Sequence, residues 1–306
     1  MARPDLCRFV PLVLAGCIST DIEQPAPDWL GLPCAEPVSP EAALGEVVFV
    51  FATLAEGPRP SQEPCSGVAV APQAVLTSRE CAEQLSGSTG DCDRSANWSY
   101  IDPSGEGTDP APGQAFNVGG NIGISSGPIP NGEGAITVSQ VEFLPATSYC
   151  KDDFALLLLE SKLDVRGLPI RFGPTPLGEE LRVGGYGGTF APQERRELPA
   201  KVRRVVAGDG DIRTPPNALY LDSDACSYDR GGALFSPTTG ALVGTIVTDP
   251  GSWCDKPNAT TLAVNLSKYR AWLLDLAERR GIALRSEFNP TLAPNSQPPL
   301  CPAPDG

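Results

Sequence analysis

Residues 225–234 read ACSYDRGGAL, in which a cysteine, an acidic residue and paired glycines surround Arg230. A guanidinium is always charged in proteins and has no hydroxyl or thiol to attack with. Whether the stretch is an ordinary turn or a chemical loop therefore depends on what the rest of the chain sets beside it. Two other segments carry comparable punctuation. Residues 65–81, CSGVAVAPQAVLTSREC, hold two short apolar runs between cysteines, and residues 153–160, DFALLLLE, place an acid before another run.

Around these segments lie further short β-type runs separated by turn residues: EVVFVFATL, AITVSQVEFL, ELRVGGYG, AKVRRVVAG, NALYLD and ALVGTIVT. Short strands at such spacing predict an all-β barrel or sandwich. Residues 86–135 are rich in Gly, Ser and Pro, which predicts long surface loops with little core. One helix is predicted, KYRAWLLDLAERR, capped by Ser267 and ended by Gly281. Tyr269, Trp272, Leu273, Leu276 and Ala277 form its apolar stripe, and Arg279 and Arg280 sit at the negative end of its dipole.

The chain has 306 residues, 33 Pro, 32 Gly and a formal net charge of −14. Phosphate contacts need clustered Lys and Arg, so nucleic acid and anionic membrane surfaces are excluded as electrostatic partners. There are 10 cysteines and 0 histidines. The usual general base near neutral pH and the commonest metal ligand are thus both absent from the sequence.

At the N-terminus, Arg3 and Arg8 are followed by an apolar stretch, Phe9 to Ala15, too short to span a bilayer. It reads as a secretory signal over residues 1–16. Leu14-Ala15-Gly16-Cys17 resembles a bacterial lipobox, which implies lipidation of Cys17; an ordinary signal peptide with a chance cysteine is the alternative. Residues 17–40 read as a Pro-rich tether and 286–306 as a Pro-rich tail. The expected location is the bacterial cell envelope, lipid-anchored at the outer membrane or in the periplasm, or the secreted fraction. Eight cysteines remain after processing at Cys17, and an even number in an exported chain fits disulfides.

The three segments, in order, resemble the trypsin/chymotrypsin-like serine proteases. The family reads approximately C-G-G-x-L-I-x-x-x-x-V-L-T-A-A-H-C, D-I-A-L-L and C-x-G-D-S-G-G-P-L at these places. Gly185-Tyr186-Gly187 matches its G-W-G, and ALVGTIV before Cys254 resembles its L-V-G-I-V-S-W-G-x-x-C. The resemblance spans roughly residues 44–281. It implies two antiparallel six-stranded β-barrels with a C-terminal helix, over residues 41–285: barrel 1 about 41–165, barrel 2 about 166–266, helix 267–280. It also implies disulfides Cys65–Cys81 and Cys226–Cys254; elimination then leaves Cys92–Cys150 and Cys34–Cys301, among the many connectivities eight cysteines allow.

Against that pattern the departures are specific. The family's general base falls at Glu80 and its nucleophilic serine at Arg230, while the orienting aspartate is kept as Asp153. A triad needs a hydroxyl and a base near neutral pKa, and neither position supplies one. Tyr228 replaces the glycine whose N–H helps form the oxyanion hole. The family's activation aspartate falls at Asp229, and its partner is a freed N-terminus, yet no Lys or Arg lies between Cys17 and Pro58 to cleave at. Asp224 falls where trypsin-like members keep a cation-selecting acid; a solvated loop acid is the favoured reading. Glu80 and Arg230 are expected to form an ion pair across the barrels, joined by Asp153, with Arg79 as a competing partner for Glu80.

Gly208-Asp209-Gly210-Asp211 lacks the ligand spacing of a calcium loop and reads as a turn. The sequons at Asn97, Asn258 and Asn265 read as coincidental. No cofactor or metal is expected. Three function classes remain: a non-catalytic protease-fold module that binds an unknown protein or peptide as a monomer, a divergent carboxylate hydrolase, and a purely structural envelope lipoprotein. The first is favoured from the chemistry at positions 80 and 230.

Overall fold

Short apolar runs become strands that close on themselves twice. The computed structural model describes residues 34–35, 37–52, 64–86, 115–117, 122–126, 135–143, 153–187, 194–206, 217–248 and 261–287, all within the unit Leu32–Gly306. The chain begins with β1 (Cys34–Ala35), α1 (Pro40–Gly45), β2 (Val47–Ala52), β3 (Cys65–Ala71), β4 (Ala74–Thr77) and α2 (Arg79–Ser86). There follow β5 (Ala115–Asn117), β6 (Ile122–Ser125), β7 (Ile136–Phe143) and β8 (Ala155–Leu159). Strands β6, β2, β3, β4, β8 and β7 pair antiparallel in that order, and the β7–β6 pairing closes the ring. Strand β5 is an addition that pairs with β7 alone.

The second barrel is built from β9 (Glu180–Gly185), β10 (Arg196–Val205), β11 (Ala218–Asp222), β12 (Ala233–Phe235), β13 (Leu242–Thr248) and β14 (Thr261–Asn265). It closes in the order β10-β11-β14-β13-β12-β9. After it come α3 (Arg270–Arg280) and β15 (Ser286–Glu287). The expected architecture of two antiparallel six-stranded barrels and a terminal helix is the one observed.

The near-continuous apolar character of β2 follows from burial on both faces. Val48 and Val50 point into the core of the first barrel, whereas Val47, Phe49 and Phe51 join the core between the barrels. The same division repeats in β8, with Leu157 and Leu159 inside and Leu156 at the junction. A strand buried on both sides needs no polar face, so its sequence shows a run rather than an alternation. The junction core takes in Phe154, Phe235 and Leu242, and α3 covers it with Leu273, Leu276 and Ala277.

Several expectations are corrected. Within residues 86–135, predicted to hold little core, β6 buries Ile122 and Ile124 completely. The terminal helix starts at Arg270 rather than after Ser267; a 3-10 turn, Leu266–Tyr269, precedes it. Asn265 is the cap of that turn, accepting from the Ser267 N–H at 3.2 Å and from its hydroxyl at 2.8 Å. Gly281 ends α3 at φ +63, as expected. Two helices were not foreseen. Ser39 caps α1 with Pro40 at its start, and Ser78 accepts from Cys81 N–H at the start of α2.

The parts expected to be tether and tail meet. Cys34 and Ala35 pair in parallel with Ser286 and Glu287. Glu287 is buried, and Arg171 donates to it from Nε at 2.7 Å and Nη2 at 3.0 Å. Residues 1–33, the lipidation candidate Cys17, Cys92, Cys150, Cys254, Cys301, Gly208–Asp211, Asn97 and Asn258 lie outside the described residues.

Candidate functional site

The start of α2 and two loops bring Glu80, Asp153 and Arg230 together. Glu80 stands in the first turn of α2, where a carboxylate favours the helix dipole. The Cys65–Cys81 disulfide ties that turn back to β3, one residue from Glu80. Asp153 immediately precedes the buried Phe154 and β8. Arg230 follows a 3-10 turn, Ser227–Asp229, just before Gly231 and Gly232.

The expected Glu80–Arg230 pair is formed. Arg230 Nη1 lies 2.6 Å from Glu80 Oε1, with Arg230 only 6% exposed and the Glu80 side chain 19%. Asp153 is joined to it through the backbone: its Oδ1 accepts from the Glu80 N–H at 2.8 Å. Arg79 has a partner of its own. Its Nε donates to Glu83 Oε1 at 2.7 Å, one helical turn on, and its guanidinium lies 4.9 Å from the centre of the Phe143 ring. An i,i+4 partner on the same helix is closer to hand than a residue one place away, which points elsewhere.

Three carboxylates and two guanidinium groups thus lie close together. Burial pushes the Asp153 carboxyl above the ordinary carboxylate range, against the Glu80 N–H and the Arg230 charge, which lower it. Burial also raises Glu83, against the charge and hydrogen bond of Arg79. A raised folded value means that the native state holds its proton to higher pH than the unfolded chain does. The associated stability is complete below about pH 4 and is lost as pH rises through the folded values. Asp153→Asn removes part of this loss. Relative to the unmodified chain, it should gain in urea midpoint as pH is raised from 4 to 7; a difference constant over that range would exclude the effect.

The loop carrying Arg230 is fixed from both barrels. The Arg230 carbonyl accepts from Ser66 N–H at 2.9 Å. Ser66, where the family pattern has glycine, donates its hydroxyl to the Tyr228 carbonyl at 2.7 Å and accepts from the Tyr186 N–H at 2.9 Å. Tyr228 is half-buried, and Asn217 is the one non-glycine with positive φ among the described residues. The backbone at Tyr228 therefore follows the 3-10 turn and avoids the left-handed region that a side chain disfavours.

Asp229 is completely buried. Its Oδ1 accepts from Gly187 N–H at 2.6 Å, and its Oδ2 from Cys226 N–H at 2.8 Å and Arg196 Nη2 at 2.7 Å. Arg196 was missed in the sequence, where the strand was read as beginning at Ala200. The strand tolerates the proline because β10 pairs with β9 over 196–201 but with β11 only from Lys201, leaving Pro199 one neighbour. Asp224 is exposed. Cys226 is disulfide-bonded, and Cys254, its expected partner, is outside the described residues.

The arrangement offers ion pairing, a set of backbone donors and a rigid loop. Arg230 carries no hydroxyl, and Glu80 is engaged by a cation at hydrogen-bond distance.

Comparison with known proteins agrees with this frame. The family described as Trypsin matches residues 115–273, just over half of the chain. Among solved structures, the scabies mite inactivated protease paralogue S-D1 is 13% identical with a TM-score of 0.52, covering 83% of this chain and 99% of that one. The scabies mite inactivated paralogue S-I1 is 18% identical with a TM-score of 0.50, covering 80% and 100%. An inactive form of Rv3671c from M. tuberculosis is 16% identical with a TM-score of 0.49, covering 81% and 97%. Likeness at such identities concerns the fold alone. No curated protein matches the chain.

Proposed function

The chain belongs to the trypsin family, and from that premise we propose that it is a non-catalytic member that binds a protein or peptide outside the cytoplasm. One observation carries the reading: a 2.6 Å ion pair joins Arg230 and Glu80, the two residues that the family resemblance aligns with the triad's serine and its base, and neither supplies the hydroxyl or the neutral-pKa base that a triad needs. The chain holds 0 histidines, so no other residue of that type takes the role. Two proteins that share its fold are named inactivated paralogues, which supports the fold serving without turnover. The Pro-rich N-terminal stretch and Leu14-Ala15-Gly16-Cys17 support export with a lipid anchor at Cys17.

The binding role is tested by incubating the purified chain with a defined peptide mixture and recovering what it retains. Peptides should come back intact, and retention should be saturable. Fragments in place of intact peptides, or no saturable retention, would overturn it. For the anchor, cells fed a clickable palmitate should label the unmodified chain and not Cys17→Ser; equal labelling of both would remove Cys17 from the account.

A further inference from the structure

Asp229 is an acid that the fold has buried on purpose-built terms. The Cβ atoms that alanine would add at Gly185 and Gly187 would fall 2.2 and 2.0 Å from its carboxylate oxygens. The two glycines therefore form a cradle that only a bare backbone can make. Asp229 also closes its own loop, donating its N–H to the Cys226 carbonyl at 2.9 Å and accepting from Gly232 N–H at 2.8 Å. Its side chain is 0% exposed, and the cation beside it is Arg196, itself 28% exposed at the start of β10. An ionised carboxylate in such a site is costly without a positive partner.

We propose that Arg196 is a built-in locking cation. From β10 it neutralises Asp229, and so holds loop 226–232, with Arg230, in its observed form in the uncleaved chain. Arg196 is a positioning residue: its β10 register, Arg196 opposite Gly185, sets its guanidinium over the cradle. Its neighbour Arg195 donates from Nη1 to the Gly45 carbonyl at 2.9 Å, fastening the same corner to the segment before β2. The family pattern would have a cleaved N-terminus supply this charge. Here it comes from within the strand, so the loop needs no processing to be ordered, and the lock is reached from solvent on one side. The inference does not depend on whether positions 80 and 230 turn over a substrate.

Hydrogen exchange of the full chain tests it. In Arg196→Ala, amides of 226–232 should lose protection by roughly ten- to a hundredfold while β3 and β4 of the first barrel keep theirs. Added guanidinium at tens of millimolar should restore part of that protection, and NaCl at equal ionic strength should not. Unchanged protection in Arg196→Ala would overturn the proposal, as would equal rescue by NaCl. If Arg196→Ala loses protection throughout, Arg196→Ala combined with Asp229→Asn decides. With the buried charge gone, protection outside the loop should return; its failure to return would overturn the lock.

Discussion

Replacing Arg230 with alanine is expected to cost about 3 kcal/mol of folding stability in urea unfolding at pH 7. The change removes the cation 2.6 Å from Glu80 and leaves that carboxylate, 19% exposed, beside the buried Asp153 and Glu83. Truncating one partner of a buried pair costs more than the pair itself contributes, because the survivor keeps its desolvation penalty. The partial exposure of Glu80 places the cost at the lower end of the range for buried pairs. Replacing both residues with apolar ones, Glu80→Leu with Arg230→Met, should recover most of the loss. A double variant no more stable than Arg230→Ala would show that the pair contributes by itself rather than by mutual neutralisation.

Gly231→Ala should be at least as damaging, about 3 kcal/mol or more. Gly231 has φ +78, and its added Cβ would meet Thr77 Oγ1 at 2.2 Å and the Ser66 carbonyl at 2.3 Å. Two penalties combine: the left-handed backbone and a collision where the loop of the second barrel meets β3 and β4. Gly281→Ala separates them. That glycine has φ +63 with nothing within 4 Å of its Cβ position, so only the backbone term, about 1–2 kcal/mol, should appear. Similar losses for the two variants would mean that the collision is relieved by movement of the loop.

Much of this frame was legible in the sequence, and the reason is physical. Strands such as β2 and β8 are buried on both faces and show as apolar runs; cysteines and paired glycines mark loops whose backbone is fixed. It was the family resemblance that implied Glu80, Asp153 and Arg230 would converge, and the opposite charges of Glu80 and Arg230 then predicted their pair. Less legible were the short strands. In β12, three residues follow a glycine pair. In β14, Thr261 and Asn265 are buried polar ends, with Thr261 donating to the Ser223 carbonyl at 2.9 Å. Neither gives an alternating pattern. The pairing of β1 with β15 joins residues far apart in sequence, and two-residue strands leave no periodic trace. Arg196 and Ser66 were hidden differently, because each acts through contacts to residues far away in sequence. An arginine at a strand start and a serine in place of glycine look ordinary until Asp229 and Tyr228 are set against them.

The proposed loss of catalysis also has a local cause in more than one residue. Placing a serine at position 230 alone would leave Glu80 without its cation and Tyr228 in the 3-10 turn. The loop around Arg230, by contrast, is held by contacts that do not involve catalysis: Ser66 to Tyr228, Arg196 to Asp229, and the disulfide beside Glu80. A loop this well fixed is suited to recognition, where order before binding lowers the entropic cost of association.

Turnover by the unmodified full chain is the most direct test of the account. The chain is incubated with a broad fluorogenic peptide mixture and, separately, with a fluorophosphonate probe for activated serines, using trypsin as the positive control. The account predicts no hydrolysis above buffer and no labelled band. Hydrolysis that disappears on Glu80→Ala or Arg230→Ala would contradict it.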